Sequence, residues 1–131
     1  MNEQRAIQFL NDVRKPLLTL HKAILDHERA AYQREFGPVT PAAFLQVLIN
    51  GSGFRWISPL SAVITNLDES LDAKDATDED RIGAAQAVCA LFSGEESVEF
   101  FTHYQSLMQA SPDVLQLHGR LVPLLRSVQD A

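Results

Sequence analysis

The sequence predicts an all-α fold: a helical bundle of five to six helices with a long helix at its N-terminus. Three observations carry that expectation. Apolar side chains recur at three- and four-residue steps in one segment after another. The breaks between segments hold Thr40-Pro41, Ser58-Pro59 and Ser111-Pro112, each a hydroxyl residue suited to capping followed by a proline suited to the first helical position. No segment alternates apolar and polar residues as a half-buried strand does. With 131 residues and no low-complexity tract, the chain reads as one domain, 1–131.

The first helix spans 3–36, with Ala6, Leu10, Val13, Leu17, Leu20, Ile24 and Ala31 along one stripe. Gly37-Pro38 ends it, because proline cannot continue a helix and glycine suits its cap. Thr40-Pro41 opens a short second helix carrying Phe44, Leu45, Val47 and Leu48, which ends at "NGSG". Ser58-Pro59 opens a third, whose inner face is Leu60, Val63, Ile64, Leu67 and Leu71. The acidic linker "DAKDATDED" follows. Its Thr77 suits the cap of a fourth helix, 78–92, whose first turn holds Asp78, Glu79 and Asp80, the sign a helix N-terminus favours. Ser93 and Glu96 have the spacing of a capping box for a fifth helix with Phe100, Phe101, Tyr104, Leu107 and Met108. Ser111-Pro112 opens the sixth, with Val114, Leu117, Leu121, Leu124, Leu125 and Val128 inward.

Pro16 and Pro123 fall inside helices on their outer faces, where kinks are expected rather than breaks. The first helix also raises a question of size. At ~1.5 Å per residue it would be roughly 50 Å long, whereas a compact domain of this length has a radius of gyration of ~14 Å. Either Pro16 bends the helix around the core, or one end projects and finds a partner. The second possibility is the main reason to expect a homodimer.

Eleven basic and seventeen acidic residues give a net charge of −6. That sign disfavours nucleic acid and anionic membrane as partners. Cys89 is the lone cysteine, the usage of a reducing compartment. No apolar run approaches the ~20 residues of a membrane span, and the polar N-terminus lacks a signal-peptide core. A cytoplasmic protein is expected.

The stretch "HKAILDHERAAYQ", residues 21–33, concentrates polar chemistry on the first helix. Arg14, His21, Glu28 and Tyr32 are expected as an inward file on the apolar side of this helix, with Glu35 close by. Asp26, His27 and Arg29 fall on the flanks or outside. Inward charges need partners, since an unpaired buried charge costs several kcal/mol. The preferred reading is a satisfied network that docks this helix, such as Arg14 or His21 against Asp68 or Glu69. A buried acid–base site is the sharper alternative.

His118 lies on the apolar side of the sixth helix, so His21, Glu28 and His118 would converge if the first and last helices were neighbours. Their ligand types would suit zinc or iron, but neither Glu-x-x-His nor H-E-x-x-H occurs. No metal and no cofactor is expected. Phe54, Arg55 and Trp56 form a candidate interaction surface, with a buried lid over a helix corner as the plainer reading. His103 reads as a surface residue and Cys89 as a small hydrophobe. The linker acids lack a calcium loop's alternation and its turn glycine.

"LLTLHKAILDHERAAYQREFGPV", "FRWISPLSAVITNLDE" and "SPDVLQLH" resemble a family of small all-helical bacterial proteins with no known activity. The likeness runs from about Leu17 to His118. It implies a bacterial cytoplasmic protein and an all-helical fold, and it brings no catalytic residue with it. From the residues themselves the leading expectation is a non-catalytic interaction or regulatory module that forms a homodimer and contacts a protein partner. The alternative is a helical bundle that binds a small ligand or metal through the inward His/Glu/Tyr cluster.

Overall fold

The computed structural model describes residues 1–129 and is all-helical among them. Its elements are α1 (Glu3–Phe36), α2 (Pro41–Asn50), a 3-10 segment (Ser52–Ile57), α3 (Ser58–Asp72), α4 (Asp78–Ser93), α5 (Val98–Ala110) and α6 (Pro112–Gln129). The polar ends are built much as the sequence predicts. Asn2 accepts from the Arg5 amide at the start of α1, and Thr40 accepts from the Ala43 amide at the start of α2. Thr77 and Asp80 exchange hydrogen bonds as a capping box on α4. Ser111 Oγ accepts from the Val114 amide at the start of α6.

Two expected caps are corrected. Ser58 does not cap α3: it is itself helical, and its amide bonds back to Arg55, so the 3-10 segment runs straight into α3. Ser93 belongs to the last turn of α4, and α5 starts later, capped by Ser97 accepting from the Phe100 amide. The intervening Gly94 explains the difference. It closes α4 in the left-handed region at φ 88°, and a Cβ there would stand 3.2 Å from the Phe101 ring, so the chain turns before it can begin a new helix.

The core is organised around α1, which packs against α3, α4 and α6. Its buried residues are Ala6, Phe9, Leu10, Val13, Leu17, Leu20 and Ile24. Leaving aside Phe9, which widens the stripe beside Leu10, the steps of four and three from Ala6 to Ile24 average the helical repeat, so the stripe stays aimed at one core. Arg5 donates to the Ser127 carbonyl near the end of α6, so these two helices run antiparallel. Arg81, at the start of α4, bonds Glu3 at the start of α1 and sets that pair parallel. Leu60, Val63, Ile64 and Leu67 of α3, Ala84, Ala85, Val88 and Leu91 of α4, and Val114, Leu121, Leu125 and Val128 of α6 complete the core. α5 closes one side through Phe100, Tyr104 and Leu107.

No residue of α1 beyond Ile24 is buried. Leu25 still packs half-buried against the core, and the last three turns beyond it leave the core, about 16 Å of helix at 1.5 Å per residue. They are accompanied by α2. Gln33 accepts from the Val39 amide and Arg29 donates to the Val39 carbonyl, which folds the turn after Gly37 back along α1. Phe44, buried, sits between the rings of Tyr32 and Phe54. The size question is thus answered by projection of a tail, with α1 continuous through Pro16.

Leu20→Ala removes side-chain volume from a fully buried site and is expected to cost about 2–5 kcal/mol, whereas Phe36→Ala, on the exposed tail, should change stability by less than about 0.5 kcal/mol. Urea unfolding of the two variants measures the contrast; comparable losses would contradict a core that ends at Ile24.

Candidate functional site

The polar file expected along α1 exists in part, and it lies at the rim of the core. Arg14 Nε reaches Asp68 Oδ1 at 2.9 Å, and its Nη2 reaches Asp72 Oδ2 at 2.6 Å. Nη1 adds a bond to Asp72 Oδ1 at 3.3 Å, so the guanidinium grips α3 in a fork. Hydrogen bonding to Arg14 holds the Asp72 carboxyl below the usual carboxylate range. One turn-pair further along, His21 Nε2 and Ser61 Oγ stand 2.9 Å apart. Burial pushes the His21 imidazole down from its ordinary value, which favours the neutral ring. The expected docking of Arg14 on Asp68 is present, and Asp72 and Ser61 are added to it.

The remaining candidates do not join a single buried cluster. Arg14, His21, Glu28 and Tyr32 are all half-buried. At ~100° per residue, Arg14, His21 and Glu28 lie roughly 50–90° to one side of the centre of the buried stripe from Ala6 to Ile24. They therefore flank the stripe instead of centring on it. Glu28 lies 3.8 Å from His27 Nδ1, too far for a hydrogen bond. Tyr32 packs its ring on Phe36 at 4.8 Å and Phe44 at 5.7 Å.

His118 faces α5. Its Nδ1 and the Tyr104 hydroxyl are 2.9 Å apart, and its ring leans on Phe92. Burial pushes Tyr104 above, and His118 below, their ordinary values. Cys89, Phe92, Val122, Leu125 and Arg126 line the cavity beside His118, and burial pushes the Cys89 thiol up, as for a packing residue. The convergence of His21, Glu28 and His118 does not occur: among the described residues no three His, Cys, Asp or Glu side chains gather as metal ligands.

The aromatic corner takes the plainer of its two readings, the buried lid, in place of the candidate interaction surface of Phe54, Arg55 and Trp56. Trp56 is only 4% exposed. Phe100 packs against it and His103 stacks over it at 5.3 Å, so it roofs the core and is not free for a partner. Phe54 is half-buried against Phe44, and Arg55 alone of the three is exposed. His103, read from sequence as a plain surface residue, forms the outer layer of this stack.

The feature that sequence reasoning missed is the outer face of α2. "PAAFLQVLIN" is almost wholly apolar, yet only Phe44 is buried. Leu45 is 53% exposed and Ile49 67%, beside Phe36 at 66%. Between α2, α1 and the start of α3 lies a groove of about 200 Å³, walled by Leu25, Leu48, Ile49, Phe54 and Ile57, with His21 and Ser61 in its lining. A signal was available: no charged residue occurs from 36 to 54, an unusual silence in a chain of this charge. Compared with family models, with curated proteins and with solved structures, the chain shows no match.

His21 and His118 both bind protons less readily in the folded chain than in the unfolded one. The unfolded state therefore gains protons first as pH falls, and folded stability drops from about pH 6.5 downward until both rings are charged. Urea midpoints should fall between pH 7.5 and 5, and His118→Gln should reduce the slope; a midpoint flat over that range would contradict the buried, neutral imidazoles.

Proposed function

We propose that the chain is a non-catalytic interaction module that acts in the cytoplasm as a homodimer, joined through the projecting tail of α1 and the outer face of α2. One observation carries the reading: the helix richest in apolar residues is the least buried. Phe36, Leu45 and Ile49 together expose large apolar side chains on one protruding unit, and exposed apolar patches of this kind mark association surfaces.

The occupant is argued from charge. A second copy carries the same net −6, so approach of most faces is opposed by like-charge repulsion. Residues 36–54 carry no charge, which makes α2 the place where two copies meet without repulsion. In a two-fold contact each residue near the axis meets its own counterpart, so an uncharged apolar face is self-complementary and a charged one is not. Among the described residues no helix is long and apolar enough to cross a membrane. The polar clamps of Arg14 and His21 support this role by fixing α1 on α3, from which the tail projects.

The wild-type chain should run at twice 14.6 kDa in light scattering at micromolar concentration. Leu45→Glu with Ile49→Glu should give a monomer of unchanged helicity, because both sites are exposed. A wild type that is monomeric across that range, or a dimer that survives the double substitution, would contradict the proposal.

A further inference from the structure

The groove inside the α1–α2 corner has a chemical pattern of its own, although it shares Leu45 and Ile49 with the outward face of α2. Its walls are apolar side chains of Leu25, Leu45, Leu48, Ile49, Phe54 and Ile57, and its polar lining is Ser58 with one hydrogen-bonded pair, His21 and Ser61. We infer that this groove is a binding site for a compact, uncharged ring of roughly phenol size that carries a single hydroxyl group.

Size sets the first half of that inference. An apolar cavity of about 150 Å³ accepts a benzene molecule. The groove, at about 200 Å³, holds such a ring with one or two further heavy atoms. It is smaller than the ~300–1,000 Å³ of pockets for drug-sized molecules, so nucleotides and long acyl chains do not fit it.

The polar pair sets the second half. If the Nε2–H of His21 donates to Ser61 Oγ, the serine hydroxyl proton is free to donate outward. If the serine hydroxyl donates to Nε2, its oxygen lone pairs are free to accept. A hydroxyl group both donates and accepts, so it satisfies the pair in either tautomer. A carboxylate only accepts, and it would draw a proton onto an imidazole that burial keeps neutral. An ammonium only donates, and it would bring a charge into apolar walls, where it costs several kcal/mol. A hydroxyl-free ring leaves the outward-facing capacity of Ser61 unused.

The test uses 4-methylphenol as probe and toluene and 4-methylbenzoate as controls, followed by methyl NMR on the full chain. Working at a concentration where the chain is monomeric separates this inference from the dimer reading. Saturable shifts of the Leu25, Leu48 and Ile57 methyls are expected with 4-methylphenol, with weaker binding of toluene and none of 4-methylbenzoate. Ser61→Ala should weaken 4-methylphenol by roughly two- to tenfold and leave toluene unchanged, and Leu48→Trp should fill the groove and abolish both. No saturable binding of 4-methylphenol at millimolar concentration would overturn the inference. So would toluene binding equal to that of 4-methylphenol in the wild type, a comparison that needs no variant to fold.

Discussion

The fold depends on a single stripe of side chains on α1 and on where that stripe ends. From Ala6 to Ile24 every apolar step keeps the helical repeat, and α3, α4 and α6 are arranged around it. Burial of Phe9, Leu10, Val13, Leu17, Leu20 and Ile24 is worth about 1.5–3 kcal/mol for each large side chain, which no surface ion pair approaches. Past Ile24 the repeat carries Glu28, Arg29 and Tyr32 in place of aliphatic residues, and Leu25, half-buried, is the last side chain of α1 packed against the core among the described residues.

That termination produces the second, smaller packing unit. Tyr32, Phe44 and Phe54 form an aromatic chain that fastens α2 to the tail of α1 and to the 3-10 segment, but the chain consumes only one side of α2. The other side stays apolar and exposed. A helix whose composition suits a core but whose position is peripheral either carries a cost in the isolated chain or is covered in the assembled one. The homodimer reading follows from that imbalance, and the groove follows from the same geometry, since α2 crosses the α1–α3 seam without filling the space above His21 and Ser61.

Much of the fold was legible because helix boundaries are local chemistry. Thr40-Pro41, Thr77 with Asp80, and Ser111-Pro112 each act within four residues, and each operates as spaced. Ser58 and Ser93 looked equally good in sequence but are overruled by neighbours: a 3-10 segment already occupies the turn before Ser58, and Gly94 takes the left-handed bend that ends α4. The docking of Arg14 on Asp68 was legible because an inward cation needs an anion on the facing helix. The wider cluster was not. Seven-residue spacing from Arg14 to Glu28 mimics a stripe over two heptads, but at ~100° per residue that file runs roughly 50–90° to one side of the buried stripe. His118 shares a helix face with Leu121 in sequence, yet whether that face meets α1 or α5 depends on helix order in space, which periodicity does not encode.

Residue-resolved hydrogen exchange along α1 tests the central claim most directly. In dilute solution the amides flanked by Leu10 and Ile24 should open only with global unfolding, while those from Glu28 to Phe36 should exchange orders of magnitude faster through local fraying. On raising the protein concentration, the tail and α2 should gain protection while the core segment stays unchanged. Uniform protection along the whole of α1, independent of concentration, would show that the helix is held by one continuous core, and would contradict both the boundary at Ile24 and the association surface beyond it.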